Sequence, residues 1–96
     1  MSERLDEILH ITQEECAEVT QAISKVFRFG FTETYNGKTN KEHLEEEIGD
    51  LLAMVRLLYS EGAIDESVVE RACIAKLTKL DKWSKHIRLT VNLGEK

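Results

Sequence analysis

Residues 45–59, EEEIGDLLAMVRLLY, place three consecutive glutamates directly before the longest nearly apolar run of the chain. The apolar positions of this region recur at the three- and four-residue steps of a helix, and they are Leu44, Ile48, Leu51, Leu52, Val55, Leu58 and Tyr59. Because further apolar residues lie between them, the helix is apolar almost all round and is expected to be buried on more than one side. In a chain of 96 residues, we expect the second burying surface to be another subunit.

The start of this helix is marked by Thr39-Asn40-Lys41-Glu42, which fits a capping box, and its end is expected before Gly62. The preceding residues 30–40 contain no strand-like alternation. They are therefore predicted to form a loop that turns at Asn36-Gly37.

The same helical periodicity predicts two more helices. The first is expected to begin near Glu3 and to end near Arg28, with Gly30 as the stop. Asp65 is a good N-cap for the third, whose apolar spacing continues to Ile87. We therefore predict an all-α fold: an antiparallel helical bundle with three main helices per chain, in a single domain over residues 1–96, completed by oligomerisation.

Composition excludes several classes of function. The net charge of −5 argues against a nucleic-acid binder, which needs a basic face. The apolar run is too short to span a membrane, and the polar N-terminus does not resemble a signal peptide. Cys16 and Cys73 are expected to be reduced and mostly buried thiols. These features predict a soluble cytoplasmic protein.

Two acidic pairs lie on the shoulders of the apolar stripes of the first two helices. Glu15 and Glu18 are three residues apart, as are Glu47 and Asp50, so each pair shares one helix face. If the stripes pack together, four carboxylates converge, and like charges about 4 Å apart repel by roughly 4 kcal/mol at an effective dielectric near 20. Carboxylates are ligands that suit Mg²⁺ or Mn²⁺, so a divalent metal is the predicted partner. The alternative is that both pairs belong to solvated helix faces, where charge runs usually lie.

These motifs resemble a known family. Glu15-x-x-Glu18 and Glu47-x-x-Asp50, separated by residues 19–46, are similar to the ExxE…ExxD signature of the MazG-like nucleotide pyrophosphohydrolases, members of the all-α NTP pyrophosphatase superfamily. The segments EECAEVTQAISKVFRFG and EHLEEEIGDLLAMVRLL resemble the two core helices of small members of the family.

The resemblance implies that Glu15, Glu18, Glu47 and Asp50 hold Mg²⁺ ions that bridge a nucleoside triphosphate. Metal-assisted hydrolysis at the α-phosphorus would then yield a nucleoside monophosphate and pyrophosphate. The general base stays unassigned, because helical geometry turns the neighbouring Glu14 and Glu46 away from the pairs. The resemblance also supports a homo-oligomer, with a tetramer preferred over a dimer.

Cations for the substrate phosphates are expected from Lys25, which follows Glu18 by two turns on the same face, and from Arg28. Lys79 in the third helix is a further candidate, and Lys76 a weaker one. Ordinary surface charge is the alternative for all four. No base-binding residue is assigned: for the side chains that could pack against a base, core packing is the preferred interpretation, and these are Phe29, Phe31, Met54 and Trp83.

Two alternative functions stay open. The chain could be a superfamily specialist for dUTP, dCTP or phosphoribosyl-ATP. It could also be a non-catalytic helical interaction module whose acidic residues only solubilise it.

Overall fold

The computed structural model describes residues 1–89. Its elements in chain order are α1 (Glu3–Phe29), β1 (Thr34–Tyr35), β2 (Lys38–Thr39), α2 (Asn40–Ser60) and α3 (Glu66–Trp83). They form two compact units, Met1–Ala63 and a second that begins at Ile64. The prediction of three helices is confirmed, and the prediction of a single domain over residues 1–96 stays a prediction.

Helix α1 begins and ends where its capping residues predict. The Ser2 hydroxyl accepts a hydrogen bond from the backbone N–H of Leu5, which satisfies one of the free donors of the first turn. At the other end Gly30 has a φ of 86°, a left-handed conformation that glycine adopts without strain, and its N–H bonds to the Val26 carbonyl at 2.8 Å. The helix therefore ends one residue beyond the predicted Arg28.

A short antiparallel hairpin joins α1 to α2, with Thr34 paired to Thr39 and Tyr35 to Lys38. Asn36 and Gly37 form its turn with φ values of 53° and 82°, the pair of left-handed residues that a tight hairpin requires. The turn was predicted, but the prediction of a loop without strands is wrong. Strands of two residues are too short to leave an alternating pattern in the sequence.

Backbone donors at the start of α2 anchor the hairpin. The predicted capping box is present, since Thr39 and Glu42 bond to each other's backbone N–H. The next two N–H groups, of Asn40 and Lys41, donate to the carbonyls of Glu33 and Phe31 at 2.9 and 3.0 Å. Because helix N-termini must find acceptors for such groups, the segment that precedes the hairpin is tied to the end of α2.

Helices α1 and α2 pack antiparallel, and the core of the first unit lies between them. Arg4 near the start of α1 pairs with Glu61, just after α2, at 2.6 Å. Ile8 packs with Met54 and Leu58, and all three are buried. This contact positions the remaining residues of the two helices.

Much apolar surface of the two helices stays exposed. Leu52 is 53% exposed and Phe27 86%, and Ile48 and Ile23 are also exposed. One side of α2 therefore packs on α1 while Ile48 and Leu52 are open to solvent. That a second subunit covers them stays a prediction.

Two expectations about cysteines and α3 are wrong in part. Cys16 and Cys73 are free, as predicted, but both are exposed and not mostly buried. Helix α3 begins after its predicted N-cap, Asp65, but ends at Trp83 and not near Ile87. Ser84 is extended, and its hydroxyl accepts hydrogen bonds from the N–H groups of the following turn, so the chain leaves the helix there. None of the helices in the described part of the chain combines the length and apolarity of a membrane span.

Candidate functional site

The antiparallel register of α1 and α2 places the two acidic pairs opposite each other. Glu15 faces Asp50, and Glu18 faces Glu47, about halfway along the helix contact. Glu15 and Glu47 are half-buried, whereas Glu18 and Asp50 are exposed. The four residues singled out in the sequence are thus brought together at the edge of the core.

The electrostatics of this cluster are unfavourable for charged carboxylates. Partial burial and then the negative charges of Asp50 and Glu18 raise the pKa of Glu15 above its ordinary value, and protonated Glu15 can donate a hydrogen bond to Asp50. The pKa of Glu47 is also raised, first by burial and then by its close approach to Glu18 and Asp50. A cation at this position would relieve the repulsion that both shifts express.

The donor set fits Mg²⁺ by chemistry, because hard carboxylate oxygens are the ligands this ion takes. The carboxylates are nevertheless apposed in pairs: among residues 1–89, no three His, Cys, Asp or Glu side chains converge as a metal site requires. A shared ion would need rotation about the side-chain torsions of the glutamates, which the half-exposed edge of the helices allows. Their assignment as metal ligands stays a prediction.

Lys25 adjoins this cluster and is half-buried. It lines a small cavity of about 40 Å³ together with Glu18, Glu47 and His43. Its Nζ also lies 5.4 Å from the centroid of the Tyr35 ring, a distance at which ammonium and ring attract each other. Of the predicted phosphate ligands, Lys25 is therefore the one that the structure brings beside the carboxylates.

The other predicted cations have different surroundings. Arg28 is exposed, and its guanidinium carbon lies 5.0 Å from the Phe29 ring centroid. Lys76 and Lys79 are exposed residues of α3, in the second unit. Their roles stay predictions.

The acids left unassigned differ from the four cluster residues. Glu46 bonds to Lys38 of the hairpin at 2.7 Å, and this partner lowers the pKa of Glu46. A carboxylate held in this way is a weak proton acceptor. Glu14 is exposed and acts on the cluster only through its charge, which helps to raise the pKa of Glu15.

A larger cavity of about 340 Å³ lies between the end of α1, the hairpin and the start of α2. Phe29 and Tyr35 flank it and are 54% and 61% exposed. The preferred interpretation of core packing is therefore wrong for Phe29, and also for Phe31 and Trp83, which are 52% and 75% exposed. It is right for Met54, which is buried.

Sequence reasoning missed several residues that line these cavities, among them His43, Tyr35 and Asn40. His43 precedes Glu47 by one helical turn, and this four-residue spacing was a usable signal. Tyr35 and Asn40 gave no such signal in the sequence, since they reach the cavity only through the fold of the hairpin. Nothing in the spacing of the chain indicated that hairpin's position.

The family suspected from the two acidic motifs is found by direct comparison. The family model of the MazG nucleotide pyrophosphohydrolase domain matches residues 3–84, which include α1, the hairpin, α2 and α3. Comparison with curated proteins and with solved structures found no match. The matched range contains both acidic pairs and Lys25 and extends over most of the chain, which therefore belongs to the MazG nucleotide pyrophosphohydrolase domain family.

Proposed function

We propose that the chain hydrolyses nucleoside triphosphates, ribo- or deoxyribo-, to the monophosphate and pyrophosphate, with Mg²⁺ as the metal and Mn²⁺ as a substitute. The proposed ligands are Glu15, Glu18, Glu47 and Asp50. The observation that carries the proposal is the apposition of the two acidic pairs across the α1–α2 contact, inside the range matched by a nucleotide pyrophosphohydrolase family.

A metal bound by these carboxylates would contribute electrostatically, since it would neutralise phosphate oxygens and polarise the attacking water. The chain supplies the rigid support. The half-buried Glu15 and Glu47 are each held on a helix within the packed α1–α2 pair, so that they and their partners are already close before a ligand arrives. The general base stays unassigned.

Lys25 is the proposed first phosphate ligand, because it lies beside Glu18 and Glu47. Its ammonium can donate to a phosphate oxygen that the carboxylates themselves repel. Arg28 and Lys79 are proposed as further phosphate ligands and Lys76 as a weaker one, on their charge alone.

The proposed active form is a homo-oligomer, with a tetramer preferred over a dimer. The support is the exposed apolar surface of α1 and α2, which includes Leu52 and Phe27, and the small number of buried apolar residues in the first unit. Burial of such surface against another copy would add to a modest core. A stable monomer in light scattering at micromolar protein would contradict this proposal. The cytoplasmic location predicted from composition stays a prediction.

The interaction-module alternative requires acids that are separated and solvated. Acidic pairs that face each other, with the pKa values of Glu15 and Glu47 raised, are not what a solubilising surface needs. Specialisation for dUTP, dCTP or phosphoribosyl-ATP stays open within the proposed function, and the same experiment distinguishes these substrates.

The experiment measures pyrophosphate release from each of the eight common ribo- and deoxyribonucleoside triphosphates, from dUTP and from phosphoribosyl-ATP, with Mg²⁺ or with chelator. We expect Mg²⁺-dependent release that Glu47→Gln and Asp50→Asn abolish. Glu45→Gln is the matched control, because Glu45 belongs to the same acidic run but bonds to Lys41 at 3.0 Å on the exposed side. Absence of release from every nucleotide, or full activity of the Asp50 variant, would contradict the proposal.

A further inference from the structure

The cavity of about 340 Å³ beside the hairpin has the dimensions of a small-molecule pocket. Such pockets measure roughly 300–1,000 Å³, so this one is at the lower end and fits a flat ring system with its sugar. It is too small for two turns of a helix, which is about 10 Å wide with its side chains. Size alone therefore favours a small ligand over a helix from another protein chain.

Two aromatic side chains flank this cavity without being packed into the core. Phe29, from the last turn of α1, is 54% exposed, and Tyr35, from β1, is 61% exposed. Exposed ring faces beside a cavity can stack with heterocyclic bases, all of which present a π-face. The anchored hairpin holds Tyr35 in place, since its flanking residues bond to the start of α2.

A buried amide forms part of the cavity wall. Asn40 is only 3% exposed, and its Nδ2 donates to the Gly30 carbonyl at 2.9 Å. This bond uses one of the three hydrogen-bonding functions of the amide, which has two N–H donors and one acceptor oxygen. The bond fixes the amide in the wall of the cavity, and a side-chain amide is a group that can pair with a donor and an acceptor on the edge of a base.

Lys25 links this cavity to the acidic cluster. It lines both the larger cavity and the small one between Glu18 and Glu47. A ligand that fills the larger cavity and extends past Lys25 therefore reaches the carboxylates with its other end. A nucleotide has this form, with an aromatic base at one end and phosphates at the other.

We infer that the cavity between Phe29, Tyr35 and Asn40 binds the base of the nucleotide substrate. The inference rests on the proposed function, because it assigns the phosphates to Lys25 and to the acidic cluster. It adds that recognition of the base depends on the hairpin, which contributes no carboxylate to that cluster.

The test compares nucleoside monophosphates with ribose 5-phosphate, which has the sugar and phosphate but no base. AMP, GMP, CMP and UMP and the deoxyribonucleotides dAMP, dGMP, dCMP and dUMP are titrated with Mg²⁺ present into protein whose two tyrosines carry ring labels for NMR. We expect at least one monophosphate to bind more tightly than ribose 5-phosphate and to shift the ring signals of Tyr35 but not of Tyr59. Tyr35→Ala and Phe29→Ala should each weaken this binding roughly five- to a hundredfold, the range of base–aromatic stacking.

Phe31→Ala is the matched control, because Phe31 is a neighbouring aromatic of similar exposure, 52%, that does not line this cavity. It should bind the monophosphate as the unmodified protein does, and ribose 5-phosphate should bind equally to all variants. Monophosphates that bind no more tightly than ribose 5-phosphate would overturn the inference, as would variants that weaken both ligands equally. Tyr35 signals that shift with protein concentration and then no longer respond to any monophosphate would also overturn it, because a second copy would then fill the cavity.

Failure of the inference and failure of the proposed function give different results. Pyrophosphate release combined with monophosphate binding no tighter than that of ribose 5-phosphate overturns the base pocket alone. Monophosphate binding that depends on Tyr35, without pyrophosphate release from any triphosphate, supports the base pocket and contradicts the proposed hydrolysis.

Discussion

Glu47→Gln should change the thermal stability of the protein in opposite directions with and without metal. Glu47 is half-buried and faces the carboxylates of both Glu18 and Asp50. Two charges about 4 Å apart repel by about 1 kcal/mol in bulk water. Because Glu18 and Asp50 are exposed to water, their repulsion of the Glu47 carboxylate stays near or below that value. Removal of the Glu47 charge should therefore stabilise the metal-free protein by roughly 0.3–1 kcal/mol, or about 1–8 °C in Tm for a domain of this size.

Mg²⁺ reverses the order of stability. A ligand at about 100 times its Kd adds roughly 2.7 kcal/mol, which raises Tm by about 10–20 °C. Glu47→Gln removes a proposed metal ligand, so most of this gain should be lost and the variant should melt below the unmodified protein.

Circular dichroism melts at pH 7.5, with EDTA and then with a Mg²⁺ series, measure both effects. Glu45→Gln is the control, and its Tm should stay close to that of the unmodified protein in both conditions because Glu45 lies on the exposed side with Lys41. A variant at Glu47 that melts lower in EDTA would refute the repulsion argument. A variant with an undiminished response to Mg²⁺ would refute the metal assignment.

The raised pKa values of Glu15 and Glu47 also predict a pH dependence: their contribution to stability is fully present below the ordinary value of 4.5 and is lost as the pH rises through the raised values. Urea midpoints of the metal-free protein should therefore fall as the pH rises from 4.5 towards neutrality, and a flat profile in this window would contradict the clustering of the acids. Lys25→Ala should lower kcat/KM roughly ten- to a hundredfold or somewhat more, because a charge-assisted hydrogen bond is worth about 1.5–3 kcal/mol. Its stability should hardly change, and steady-state kinetics equal to those of the control Lys41→Ala would remove Lys25 from the site. Thr39→Ala breaks the capping box and should cost about 0.5–2 kcal/mol, measured by urea unfolding; an unchanged midpoint would show that the cap does not stabilise α2.

Local rules predicted the helices well because their signals are local. Capping at Thr39 and Asp65 depends on bonds to backbone donors within three residues, so short stretches of sequence contain the whole interaction. The end of α3 was missed because the hydroxyl of Ser84 accepts hydrogen bonds that compete with those of the helix. The spacing of apolar residues does not report such hydrogen bonds.

Burial was predicted less well because it depends on partners far away in sequence. Apolar residues of α1 and α2, among them Ile8 and Leu58, pack against each other. Leu52, Phe27 and Cys16 lie on other faces of these helices, which no other element in the described residues buries. Hydrophobicity shows which side chains gain from burial, but only packing decides which of them find a partner.

The sequence by itself determined the helical class and the family. It also determined that each acidic pair lies on one face of its helix, because residues three apart on a helix share a face. Tertiary structure alone decided that Glu15 faces Asp50 and that Glu18 faces Glu47, since this register depends on how two helices pack. It also decided the position of the hairpin, which brings Tyr35 and Asn40 to the cavity that Lys25 shares with the acidic cluster. The physical reason is that helical periodicity constrains residues within one turn of each other, whereas contacts between elements are set by the packing of side chains and the anchoring of backbone groups distant in the chain.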